Sequence, residues 1–267
     1  KYIPKSIYDR DDVVNDNRIT ASQVKSSGEV IDSWSKFKYA NYIDVDSQYG
    51  PITNMHVFKD KLFFWQDSAF GVTAVNERSL ITDNNPGALV LGTGGILTRF
   101  DYMTIKNGSR KGDLRNITQS DGALYWYDCN KNELCSYNGS VHTLSKLKSV
   151  QSYLNTLPLQ SRVGVVAFYD KKYNEALFAI DGKLLAFNEQ LDVFTSFYTR
   201  PTKWEFELPD DYYTINDNHL YLHNTNNFEG VTSKIQIVVN KNYDNTKVFD
   251  NVAMSGDFTN NQVFTNI

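Results

Sequence analysis

The chain has 267 residues, of which 41% are hydrophobic, 14% aromatic and 22% charged, with 27 Lys+Arg against 31 Asp+Glu and a formal charge of −4. That balance excludes a disordered chain, gives no basic footprint for nucleic acid, and leaves no apolar run near the ~18 residues that cross a bilayer. Cys129 and Cys135 are too few to staple a fold of this size, whereas 17 Tyr and 16 Phe beside 3 Met and 6 Pro point to strands.

In chain order, residues 1–50 read as a polar leading segment with Trp34, Phe37 and Tyr39 as buried anchors. The chain starts at Lys1 rather than Met, with no basic-then-apolar leader, and is expected to be a fragment of a longer protein. Residues 51–228 fall into groups of short apolar runs separated by Asn, Asp and Gly. The groups lie at residues 55–77, 115–145, 163–198 and 211–225, and each reads as an antiparallel meander. Helical periodicity is nearly absent; the best candidate is residues 150–157, after the cap-like Ser149 and before Pro158. Residues 229–267 hold the run Ile235-Gln236-Ile237-Val238-Val239 and an Asn-rich hairpin candidate, and read as the start of an adjoining β module.

Each group contains one strongly apolar inner strand: Leu62-Phe63-Phe64-Trp65, Leu124-Tyr125-Trp126-Tyr127, Leu177-Phe178-Ala179-Ile180 and Leu220-Tyr221-Leu222-His223. Their starts are 62, 53 and 43 residues apart. Propeller blades repeat every ~40–50 residues, so the first spacing implies an insertion, placed at the Gly-rich stretch 87–95. A half-wet strand alternates apolar and polar residues. These strands are apolar on both faces, as blades packed face to face require. The expected fold is all-β: a β-propeller of about five or six blades. A two-sheet sandwich remains the alternative.

Motifs with chemical meaning are sparse. Asp44 and Asp46 open a run resembling a calcium loop, but Gln48, Tyr49 and Met55 stand where an EF-hand needs its fifth, sixth and twelfth residues. A solvated turn is expected there. Gly92-Thr93-Gly94-Gly95 lacks the Lys-Ser/Thr of a P-loop, and Leu97 stands where a dinucleotide fingerprint needs Gly, so a tight turn or bulge is expected. His219 and His223 would lie ~13 Å apart on a strand, too far to share one zinc, and His56 and His142 are isolated. Cys129 and Cys135 flank a turn and read as free thiols, with pairing across a hairpin as the alternative. Ser120-Asp121-Gly122 with Trp126 approaches a sialidase Asp box in the wrong register, and no nucleophile elbow is present. Sequons at Asn107, Asn116 and Asn138 are the chance yield of an Asn-rich chain. No catalytic, cofactor-binding or metal-binding residue is assigned.

The residues Ser33-Trp34, Tyr42-Ile43-Asp44-Val45-Asp46 and Tyr49-Gly50-Pro51-Ile52, followed by the strings HVFKDKLFFWQ (56–66), AVNERSLI (74–81), LVLGTGGILTRFDY (89–102), SDGALYWYDCNKNELCSYNG (120–139), AFYDKKYNEALFAI (167–180), NEQLDVFTSFY (188–198) and VVNKNYDNTKVFDNV (238–252), resemble the propeller region of the tail muzzle, or stabilisation, proteins of crAss-like bacteriophages. The resemblance spans about residues 30–255, with a tighter connection than usual at Asp181-Gly182-Lys183. It implies similarity to the tail nozzle proteins of short-tailed phages. These form a ring of identical subunits, commonly six, at the distal end of the tail tube, where they close or guide the DNA exit.

The function expected on that basis is structural, in the virion tail, after assembly in the bacterial host cytoplasm. The partners implied are identical subunits, other tail proteins and DNA in transit without specific binding; no cofactor and no membrane span are implied. A mildly acidic channel wall would repel phosphate and not retain it. The competing expectation is a receptor- or glycan-binding module at the tail tip, served by loop aromatics such as Trp204, Phe206 and Tyr212, whose plainer reading is core packing. An enzyme acting on cell-envelope polysaccharide is the third.

Overall fold

The computed structural model describes residues 15–223, apart from 24–27, 29, 31, 75–78, 82–88, 92–96, 98, 114, 199–203, 208–211 and 217–218. The chain divides after Asn224, and all described residues belong to the first unit. The expected module at 229–267 and the expected turn at 92–95 lie outside the described residues.

The described residues begin with a two-stranded antiparallel ladder, β1 (Arg18–Thr20) with β2 (Tyr42–Asp44). The first full sheet follows: β3 (Ile52–Phe58), β4 (Lys61–Gln66) and β5 (Phe70–Ala74). A separate hairpin, β6 (Ser79–Ile81) with β7 (Leu89–Leu91), interrupts the sheet before its fourth strand, β8 (Arg99–Thr104), pairs with β5. The insertion that the 62-residue spacing requires therefore lies inside the first meander, between its third and fourth strands.

The second sheet is the meander β9 (Ile117–Gln119), β10 (Leu124–Asp128), β11 (Glu133–Tyr137) and β12 (Val141–Thr143). Two short helices follow, α1 (Leu144–Leu147) and α2 (Gln151–Thr156). The second coincides with the expected helix and stops before Pro158, whose ring disfavours helical backbone at Leu157. The third sheet is β13 (Val166–Asp170), β14 (Glu175–Ile180), β15 (Lys183–Asn188) and β16 (Val193–Tyr198). The fourth has three described strands, β17 (Trp204–Glu207), β18 (Tyr212–Asn216) and β19 (His219–Leu222).

The sheets stack face to face in sequence order. Phe58, Phe63, Trp65 and Phe70 of the first sheet pack on Leu124, Trp126 and Cys135 of the second. Trp126 meets Trp65 edge-on at 5.9 Å and Phe70 at 4.8 Å between ring centroids. The opposite face of the second sheet carries Tyr125, Tyr127 and Leu134 against Ala167, Tyr169, Ala176, Phe178, Leu185 and Phe187 of the third. Leu144 and Leu154 of the two helices close this layer. On the far face of the third sheet, Phe168 stacks on Tyr212 of the fourth at 5.0 Å. All five residues of β10 are buried because neighbouring side chains point to opposite faces and both faces are covered. This pattern fills more than two layers, so the two-sheet sandwich is excluded.

Trp34, Phe37 and Tyr39 are not buried anchors; they are 55%, 64% and 92% exposed. The leading segment is anchored by Ile19 and Val45, which its ladder aims at the outer face of the first sheet against Phe64. Leu220, Tyr221 and Leu222 are also exposed, because β19 is the last strand of its sheet among the described residues and not an inner one.

The turns show why Asn and Asp recur. Lys59 and Asp60 both have positive φ, 48° and 60°, and make a two-residue hairpin turn without glycine; Asp181 and Gly182 make another, at 53° and 69°. The expected tight hairpin at Asp121-Gly122 is instead the middle of a four-residue turn closed by Ser120, whose hydroxyl accepts from Gly122 N and Ala123 N.

Candidate functional site

The first strands of three successive sheets come together. Asn54, Met55 and His56 of β3, Arg115 just before β9 and Ile117 at its start, and Val166 to Phe168 of β13 line one concavity of about 290 Å³. Ala167 N donates to Arg115 O at 2.7 Å, which joins the second and third sheets at this point. His56 Nε2 is buried without an acceptor or donor among the described residues. A second hollow, about 350 Å³, lies between residues 160–166 and the Asp181-Gly182 turn.

Behind the first concavity runs a polar seam built by the crossing from the first sheet to the second. Asn54 Nδ2 donates to Ser109 Oγ and to Asp113 O at 3.1 and 3.0 Å. Asn116 Nδ2 donates to Tyr127 O at 2.7 Å, and Ser109 Oγ donates to Asn116 Oδ1. Asn107 Nδ2 donates to Glu133 Oε2 at 2.8 Å, and Gly108 N donates to Asp128 Oδ2 at 3.2 Å. Lys146 closes on Glu133 at 2.5 Å. Burial raises the Asp128 carboxyl above its ordinary range, opposed by hydrogen bonds from the Lys131, Gly108 and Asn130 amides.

A second seam joins the second and third sheets around Glu189. Its Oε1 accepts from Ser120 Oγ at 2.8 Å and its Oε2 from Tyr169 OH at 2.6 Å. Burial, reinforced by this carboxylate, pushes the Tyr125 and Tyr169 hydroxyls well above their usual range. A third seam fixes the leading segment. Gln66, fully buried, donates from Nε2 to Asp46 O and Gly50 O at 2.8 and 2.6 Å and accepts from Tyr102 OH at 2.7 Å. Burial pushes the Tyr102 phenol up to about 12.

The residues singled out from sequence are used in these frameworks. Asp44 forms a two-point ion pair with Arg18, and Asp46 caps the turn after it by accepting from Gln48 N. Each hydrogen bond moves its group in the expected sense: Arg18 is raised and Asp44 lowered. Cys129 and Cys135 are free and buried in different layers, one on each side of the second sheet, which rules out pairing across the hairpin. Burial raises both thiols, Cys129 to about 12 with a further contribution from Asp113. Ser120 of the near Asp box serves its own turn and Glu189, while Trp126 lies in the opposite layer. His223 Nε2 meets Thr214 Oγ1 at 2.6 Å, which ties the half-buried imidazole to a fully buried hydroxyl of β18. His219 lies on exposed β19. Tyr212, a candidate glycan contact, is core, and the side chains of Trp204 and Phe206 lie outside the described residues.

The amino-acid sequence has counterparts among known proteins. The family model described as crassvirus muzzle protein matches residues 1–218. The chain belongs to that family. A muzzle protein of Bacteroides phage crAss001 is 25% identical over 253 residues, a match covering 90% of this chain and 18% of the phage protein. This muzzle-family chain thus spans less than a fifth of that relative.

One structural signal was present in the sequence and missed. Asp128-Cys129-Asn130-Lys131-Asn132-Glu133 and Asp170-Lys171-Lys172-Tyr173-Asn174-Glu175 are the same turn in the second and third sheets. In both, the leading Asp accepts from backbone amides, Asn130 and Lys131 in one and Lys172 in the other. In both, the Asn before Glu takes positive φ, 59° and 53°. The repeat Asp-x-x-x-Asn-Glu could have aligned the two meanders directly.

Proposed function

We propose that this chain is a rigid structural module of a phage virion tail, a stacked-sheet propeller segment in the distal nozzle that closes or guides the DNA exit. Membership of the muzzle family supports the virion assignment. The observation that carries the architectural part is the convergence of β3, β9 and β13 on one concavity, with each sheet covered by the next. In a propeller the first strand of every blade lines the axis in this way. The polar seams support a structural role over a catalytic one: buried Gln66, Asn107, Asn116 and Asp128 hydrogen-bond to other parts of the chain and hold layers in register. The proposed assembly is a ring of identical subunits, six by the family resemblance, built in the host cytoplasm with other tail proteins and requiring no cofactor. The net charge of −4 suits a wall that DNA passes without adhering.

The test is electron cryomicroscopy of intact tails, with this segment located by an epitope tag on an exposed turn such as Lys59-Asp60. Density for the segment in a distal ring around the exit channel is the expected result. Its absence from the tail, or a lumen lined by its Lys and Arg, would overturn the proposal.

A further inference from the structure

The chain contains the tripeptide Asn-Gly-Ser twice, at 107–109 and at 138–140. An Asn followed by Gly is the pair most prone to spontaneous deamidation, because Gly has no side chain to hinder closure of a five-membered imide. The two copies sit in opposite environments.

Asn107 is buried, and its side-chain nitrogen donates to Glu133 at 2.8 Å. Gly108 N, the atom that would have to attack, donates to Asp128 Oδ2 at 3.2 Å. Losing the proton from that nitrogen would break this bond and set a new negative charge against the Asp128 carboxyl, which is electrostatically opposed. Gly108 also has no room to move: a Cβ built on it would lie 2.1 Å from Gln66 O.

Asn138 is exposed at the tip of the turn between β11 and β12. The backbone bond across the turn from Asn138 N to Ser140 O is long at 3.4 Å. No hydrogen bond holds Gly139 N–H among the described residues, Gly139 has φ 118°, and a Cβ built on it meets nothing within 4 Å. The backbone there is free to bring Gly139 N onto the side-chain carbonyl carbon of Asn138.

We infer that Asn138 is a site of spontaneous deamidation and isoaspartate formation, and that Asn107 is protected from the same reaction by the fold. Gly139 N loses its proton to solvent base and forms a bond to Asn138 Cγ; the Cγ–Nδ2 bond breaks and ammonia leaves. Water then opens the imide at either carbonyl, giving aspartate or isoaspartate. The net change is one water consumed and one ammonia released, with no oxidant or cofactor. The product adds a negative charge to the turn and, in the isoaspartyl form, one extra backbone carbon.

The test is ageing of the folded chain in mildly alkaline buffer at physiological temperature, followed by peptide mapping and labelling with isoaspartyl methyltransferase. The peptide holding Asn138 is expected to gain about one dalton and accept methyl at least ~tenfold faster than the peptide holding Asn107, the gap closing when the chain is unfolded in denaturant. Asn138→Gln should abolish the change in its peptide. Equal rates in the folded chain, an Asn138 peptide that stays intact while the unfolded control reacts, or a change that persists in Asn138→Gln would each overturn the inference.

Discussion

Replacing Gly108 by Ala tests whether the crossing between the first and second sheets is a tight structural joint. A Cβ at that position would stand 2.1 Å from Gln66 O and 2.7 Å from Asp67 O, both backbone atoms that no rotamer change can move. The connection carrying Gly108 must move away from the end of β4 by more than an ångström to restore an ordinary contact. Overpacking of this kind costs about 1–3 kcal/mol. The displacement also weakens the bond from Gly108 N to Asp128 and that from Ser109 N to Gln66 O, now 2.9 Å. A hydrogen bond to a charged group contributes about 1.5–3 kcal/mol and a neutral one about 1. The expected loss is therefore about 3–5 kcal/mol, since the terms overlap. Gly112→Ala is the control: Gly112 has φ 98° and nothing within 4 Å of a built Cβ, so only backbone strain of about 1 kcal/mol applies. Urea unfolding followed by circular dichroism measures both. Two variants equal within error would refute the close approach and the joint argued from it.

Other expectations follow from the same layers. Trp126→Ala should lose about 3–5 kcal/mol in urea titration, because the side chain is fully buried between two sheets. Asp60→Gly should gain up to about 1 kcal/mol by thermal unfolding, since Asp60 has φ 60° on an exposed hairpin turn where glycine is unstrained. Cys129 and Cys135 should resist a thiol reagent in the folded chain at neutral pH and both react in denaturant, because burial raises both thiols; fast labelling of either in the native state contradicts its placement. Asp128 holds its proton more tightly in the folded state than in the unfolded chain, so its contribution is fullest below the ordinary carboxylate range and is lost as pH rises through the raised value. The stability of the natural chain relative to Asp128→Asn should therefore improve as pH falls from about 7 to 4, and a gap that narrows on acidification would contradict the assignment.

The four meanders were legible because their signals are local. Continuous apolar runs such as Leu124 to Tyr127 name a strand covered on both sides, and the Asn, Asp and Gly between runs name the turns. The exposure of Trp34, Phe37 and Tyr39 was not legible, since an aromatic residue is buried only if a surface faces it, and Ile19 and Val45 occupy that place. Likewise β8 could not be assigned to the first sheet from sequence, because a separate hairpin intervenes before it returns to β5. The polar seams join residues up to 69 positions apart, as Ser120 and Glu189 show, and no spacing rule reaches that far.

The two Asn-Gly-Ser tripeptides mark the division most plainly. Read alone, the sequence determined that this is an all-β chain of successive meanders, and it made the two tripeptides indistinguishable. Tertiary structure alone decided that one lies buried against Asp128 and Glu133 while the other stands in solvent at a turn tip. The physical reason is range. Backbone preference and side-chain alternation act between near neighbours, whereas desolvation and the partners that offset it depend on what the rest of the chain brings into contact.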